Sequence, residues 1–155
     1  MNERDLKFMR IAISEARAAA DRGEVPVGAC ITDNNGSLIG AGFNRTISEN
    51  DPTAHAEIVA IRSAAAVIGN YRLVGLTIYT TIEPCVMCAG ALVNARLERL
   101  VYGAADERFG AAGSVFSLCN SQLLNHRIEV TSGVLAEECG VLMRDFFRFR
   151  RWSQT

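Results

Sequence analysis

The sequence predicts an α/β layered domain. Three observations carry this: an apolar stripe at helical spacing opens the chain, another closes it, and between them short β-forming runs alternate with Ala-rich helical runs. Leu6, Met9, Ile13, Ala16 and Ala20 form the first stripe, on a helix ending near Gly23. Val27 to Thr32 and Leu38 to Phe43 read as paired strands joined by the turn Asp33-Asn34-Asn35-Gly36. After a loop through Asn44, Asp51-Pro52 reads as a helix start. The Ala- and Ile-rich run from Ala54 to Ile68 follows, stopped by Gly69-Asn70.

Leu76 to Ile82 alternates β-formers and predicts a strand, whereas Cys85 to Ala95 is small and apolar and predicts a buried helix. Arg99 to Gly103 is a short strand. The stretch Ala104 to Ser114 reads as a loop freed by Gly103, Gly110 and Gly113, on the rim of a site. Arg127 to Thr131 is a weak last strand, and the stripe Leu135, Cys139, Leu142, Phe146, Phe149 marks a final helix.

A chain of 155 residues, 49% hydrophobic with 3 prolines, fits one ordered domain that buries about 70% of its unfolded surface. No apolar run reaches the ~18 residues of a membrane span, and Met1 to Arg10 carries mixed charges, so the cytoplasm is the expected location. Five cysteines cannot all pair, which favours thiols or metal ligands over disulfides. A net charge of −1 excludes a protein that coats nucleic acid indiscriminately, so any RNA is held locally.

Two short segments carry chemistry: His55-Ala56-Glu57 and Pro84-Cys85-Val86-Met87-Cys88, each at a helix start. Cys85 and Cys88 stand three apart on a helix and can aim both sulfurs at one point. The positive end of the helix dipole favours the thiolates a metal needs. Two thiolates and an imidazole are three zinc ligands, leaving a fourth position for water, as in catalytic rather than closed structural sites. Zinc lowers the pKa of such a water to roughly 7, giving hydroxide at neutral pH. Glu57, two residues past His55, diverges from it around the helix and suits a non-ligating acid/base that shuttles protons. From spacing alone, a structural zinc clip completed by Cys30, Cys119, Cys139 or His126 stays open.

Together these residues match the H-x-E…P-C-x-x-C signature of zinc deaminases. The chain resembles the bacterial tRNA-specific adenosine deaminases of the cytidine-deaminase-like superfamily over nearly its whole length. Beyond the two motifs the likeness includes Val25-Pro26-Val27-Gly28-Ala29, Asn44, Val101-Tyr102-Gly103-Ala104, Gly110-Ala111-Ala112-Gly113-Ser114 and Asn125-His126-Arg127. The resemblance implies a three-layer α/β/α fold with a central five-stranded mixed sheet flanked by helices. It further implies one Zn²⁺ per subunit, a homodimer, and conversion of adenosine to inosine at the wobble position of an arginine tRNA anticodon stem-loop. Carried over by residue, it makes His55, Cys85 and Cys88 the ligands and Glu57 the proton shuttle. Asn44 and Ala56 fall at the base, and Asp106 near the anticodon backbone. Arg108 stands where the family leads one to expect lysine, and Phe109 where a smaller residue is expected.

Three further readings frame the expectations. Cys30, on a strand, and Cys139, on the apolar stripe, read as core residues. Arg150 and Arg151, with Arg144, Arg148 and nearby aromatics, serve equally well as RNA contacts or as cations at a helix C-terminus. The rival functions are deamination of free cytidine, cytosine or guanine, and a zinc-stabilised RNA-binding scaffold without turnover.

Overall fold

The computed structural model describes residues 2–153, with side chains as far as Arg150. The elements run α1 (Glu3–Asp21), β1 (Gly28–Thr32), β2 (Leu38–Phe43), α2 (Ala56–Ile68), β3 (Thr77–Ile82), α3 (Val86–Asn94), β4 (Arg99–Ala104), β5 (Glu129–Thr131) and α4 (Ala136–Ser153). The five strands form one mixed sheet in the order β2-β1-β3-β4-β5. β1 is antiparallel to both neighbours, whereas β3, β4 and β5 are parallel.

Alternation along the strands divides the core into two layers. Cys30, Tyr79 and Val101 face α1 and α4, where they pack with Phe8, Met9, Ile13 and Cys139. Ala29, Ile31, Ile78, Leu100 and Tyr102 face α2 and α3, where they pack with Ala60, Ala64, Leu92 and Val93. This is the expected α/β/α sandwich. No helix among the described residues is long and apolar enough to cross a membrane.

Three local readings are corrected. The second helix starts at Ala56, with His55 as its N-cap, and not at Asp51-Pro52. Asp51 spends its carboxylate on the amide and hydroxyl of Thr53, a turn that resembles a helix cap in sequence. Gly103 gives the chain no loop freedom, since it lies in β4 and a Cβ there would stand 2.5 Å from the Cys139 sulfur. Of the three glycines assigned to the rim loop, Gly113 alone has a left-handed φ, at 142°.

α1 is tied to the sheet by charge as well as by its apolar face. Asn2 caps it through the Asp5 amide, and the buried Asp5 carboxylate accepts two hydrogen bonds from Arg99, at 2.8 and 2.7 Å, and one from the Tyr79 hydroxyl at 2.8 Å. Burial pushes this carboxyl up, but the bonds from Arg99 and Tyr79 outweigh it and hold it below the usual aspartate range. Asp5→Ala removes the carboxylate from Tyr79 and from Arg99, which keeps its bond to the Thr131 hydroxyl, and is expected to cost about 3 kcal/mol in urea denaturation at pH 7. A lowered folded-state pKa means this stabilisation is complete above the unfolded value of about 3.9 and is lost as pH falls below it. A cost under about 1 kcal/mol would reduce the cluster to a surface ion pair.

Candidate active site

The parallel pair β3 and β4 ends at one edge of the sheet, and both motif helices begin there. At open α/β sheets this carboxyl edge is where ligands bind. α2 reaches it because Gly40 and Gly42 let the helix lie directly on β2. A Cβ at Gly42 would come within 2.8 Å of the Ala60 backbone nitrogen. The close approach also brings Asn44, just past β2, to the start of α2, where its side-chain oxygen accepts the Ala56 amide at 2.8 Å. That bond orients the helix start, and with it His55.

Cys85 is the N-cap of α3 and Cys88 lies in its first turn. His55 Nδ1 is 3.7 Å from the Cys85 sulfur and 3.5 Å from that of Cys88, and all three donor atoms lie within 4.8 Å of one another. In a tetrahedral zinc site, with Zn–S at about 2.3 Å and Zn–N at about 2.0–2.1 Å, the S···N edge is about 3.6 Å. The donors therefore fit zinc in type and in spacing. Hydrogen bonds from Cys88 and His55 pull the Cys85 thiol down to about 3, while that partnership and burial push Cys88 up.

Among the described residues this metal-competent group has three members. The candidates for a fourth ligand are elsewhere. Cys30 and Cys139 are fully buried in the α1/α4 layer, and Cys119 in the other. Half-buried His126 pairs its Nε2 with the Leu97 carbonyl oxygen at 2.7 Å.

Glu57, in the first turn of α2, is 4% exposed and lines a cleft of about 430 Å³ with Val25, Val27, Asn44, His55 and Cys85. It stands outside the three-donor group, and burial holds its carboxyl above the usual glutamate range. A buried carboxylate beside these three donors, reached from a cleft, can exchange protons with a bound molecule.

A family model described as the cytidine and deoxycytidylate deaminase zinc-binding region matches residues 2–104. The chain belongs to this zinc-binding deaminase family. It is 51% identical over 150 residues to the tRNA-specific adenosine deaminase of Haemophilus influenzae, covering 97% of this chain and 87% of the relative. A solved structure from a study of A-to-I editing by tRNA:A34 deaminases at the wobble position of transfer RNA superimposes with a TM-score of 0.84. It is 43% identical and covers 88% of this chain and 98% of that one. A guanine deaminase from Nitrosomonas europaea shares the fold at 28% identity and a TM-score of 0.80, covering 91% and 83%. This member of the family is a zinc-dependent deaminase of the tRNA-specific adenosine deaminase type, with its His-Cys-Cys site at the meeting of α2 and α3.

The deaminase carries its other sequence-selected residues at different distances from this centre. Asn44 and Asp106 line the cleft. Ala56 is fully buried, its amide given to Asn44. Arg108 lines a neighbouring groove of about 670 Å³, whose wall the cleft shares at Ile82, Asp106, Phe109 and Met143. Arg150 lies near the end of α4, its guanidinium 5.1 Å from the Phe146 ring centre, and the side chain of Arg151 lies outside the described residues. Sequence reasoning missed Glu83 and Met143 as cleft residues. The available signal for Glu83 was a charged residue directly before Pro84-Cys85, where a strand end would otherwise be apolar.

Proposed function

We propose that this protein converts adenosine to inosine at the wobble position of tRNA, with an arginine tRNA anticodon stem-loop as substrate. The observation that carries this reading is the three-donor site with buried Glu57 beside it in a cleft of about 430 Å³, in a chain half identical to a tRNA-specific adenosine deaminase. All of residues 1–155 acts as one deaminase domain, in the cytoplasm, as a homodimer that completes the RNA surface.

Zinc held by His55, Cys85 and Cys88 supplies Lewis acidity that makes water nucleophilic at neutral pH. Glu57 takes a proton from the attacking water, passes it to the purine ring nitrogen N1, and delivers the next to the C6 amine, which leaves as ammonia. Water and adenosine give inosine and ammonia, with Glu57 returned unchanged. Asn44 contacts the base, its orientation set by the Ala56 amide. Asp106 and Arg108 meet the RNA backbone. An anticodon base is already partly unstacked, so drawing it into the cleft costs at most a few kcal/mol.

The test is a single-turnover incubation of zinc-loaded protein with the stem-loop, in parallel with free cytidine and guanine, read by mass spectrometry. Inosine at the wobble position supports the reading. Guanine is a pointed comparison, because a guanine deaminase shares this fold. Turnover of a free base or nucleoside with the RNA untouched makes the substrate wrong, and silence on every substrate with zinc bound favours a scaffold.

At the C-terminus, Arg150 and Arg151 supply phosphate contacts in this reading. Arg150→Ala with Arg151→Ala is expected to weaken stem-loop binding and to flatten its log–log salt slope by about 1.4, or about 0.7 per contact on single-stranded RNA. An unchanged slope returns both arginines to a helix-terminal role.

A further inference from the structure

A buried carboxylate that the proposed reaction does not use sits beside the metal ligands. Glu83 is 3% exposed and lies two residues before Cys85. Its amide donates to the Ala104 carbonyl oxygen at 2.9 Å, extending the β3–β4 pairing by one step. One carboxylate oxygen accepts the Asp106 amide at 3.1 Å together with the Ser114 hydroxyl. The other accepts the amides of Ala112 and Ser114, both at 3.0 Å. The next residue repeats the pattern, with the Pro84 carbonyl oxygen accepting the Ala111 amide at 2.8 Å. Gly110 is required by this packing, since a Cβ there would stand 2.3 Å from the Glu83 carboxyl carbon.

The stretch so held, 106–114, carries Asp106 and Phe109, which form part of the wall common to the cleft and the larger groove. Phe109 is 64% exposed and half of that wall is loop, which the core anchors at Ala111 and Ala112 but not at Asp106 and Phe109 themselves. We infer that Glu83 is a positioning residue for substrate: it clamps the loop 106–114 to the end of β3, so that Asp106 and Phe109 meet the bound molecule at a fixed distance from Cys85. The inference rests on the function proposed above and names the residue that shapes its binding rim. Four donors converge on one carboxylate, and an amide of the same shape cannot accept all of them. In Glu83→Gln the oxygen keeps the Ala112 and Ser114 amides, the new NH₂ turns to the Ser114 hydroxyl, and the Asp106 amide is left facing a donor. The clamp opens at its Asp106 end.

The experiment measures zinc content, thermal midpoint, kcat and KM for the stem-loop in wild type, Glu83→Gln and Asp5→Asn, the last lowering stability far from the cleft. Glu83→Gln is expected to keep its zinc and to hold kcat within about threefold, while KM rises about tenfold, since misplaced substrate contacts are costly without touching the chemistry. Asp5→Asn lowers the midpoint and leaves KM unchanged. Amide hydrogen exchange reads the clamp independently of any substrate, with faster exchange at Asp106 in Glu83→Gln. An unchanged KM with unchanged exchange, or loss of zinc, overturns the inference. If Glu83→Gln does not fold, Ser114→Ala decides, its KM rising about threefold on the same argument or the inference failing. Wild type inactive on the stem-loop sinks the tRNA reading, whereas an active wild type with an unaltered Glu83→Gln sinks this inference alone.

Discussion

Glu57→Gln keeps one zinc per chain, folds as wild type does, and loses about 10³- to 10⁴-fold in kcat, the upper range for removal of a general acid/base. Retention of the metal follows from position, because Glu57 lies outside the group of donors at His55, Cys85 and Cys88. Retention of the fold follows from chemistry: the glutamine has the same shape, and a buried group that need not carry charge escapes the desolvation that raises the Glu57 pKa. What the amide cannot do is accept a proton. The measurement is single-turnover inosine formation alongside metal analysis. Two other carboxylates, Glu83 and Asp106, line the cleft. Glu83 is committed to loop amides, and the Asp106 oxygen Oδ1 accepts the amides of Arg108 and Phe109 at 3.0 and 3.1 Å. Glu83 is fully engaged and Asp106 at one oxygen, so a loss of less than about tenfold would show that Glu57 is not the shuttle.

Cys88→Ala removes one donor and with it both activity and a share of the stability. Loss of an outer partner of a metal ligand already weakens binding 10–100-fold, so loss of the ligand itself is expected to exceed about 100-fold. Turnover falls to background. Zinc that binds only the folded chain adds about 2.7 kcal/mol at a hundred times its dissociation constant, and the variant forfeits that increment. Chelation therefore lowers the thermal midpoint of wild type, restored by added zinc, while the midpoint of Cys88→Ala does not respond to either. A variant that still binds zinc stoichiometrically would require a different donor. Cys119 and Cys139 are sealed in opposite layers of the core, so such a result would contradict the ligand set and not merely rearrange it.

Much of this site was legible before folding because its parts are local. Cys85 and Cys88 are one helical turn apart, and a cap position followed by a first-turn position delivers two sulfurs to one place whatever the rest of the chain does. The same regularity made the two apolar stripes and the Asp33–Gly36 turn readable. The false helix start at Asp51-Pro52 failed for a related reason. An Asp turning back on its own Thr53 satisfies amides as a cap does, while the actual cap interaction comes from Asn44, twelve residues earlier in the chain. The resemblance places Asn44 at the base, and its bond to Ala56 shows how it serves the helix while lining the cleft.

By itself the sequence determined the layered α/β class, His55, Cys85 and Cys88 as candidate metal donors with Glu57 as a candidate acid/base, and the motifs that carry the family resemblance. These depend on period, spacing and residue type, which survive without coordinates. Only the tertiary structure decided that His55 meets two sulfurs some thirty residues away, that Gly103 is a packing contact, and that Glu83 holds a loop 23–31 residues distant. A buried carboxylate takes its meaning from the donors brought to it, and three of the four here are backbone amides, which every residue except proline carries and no sequence pattern distinguishes.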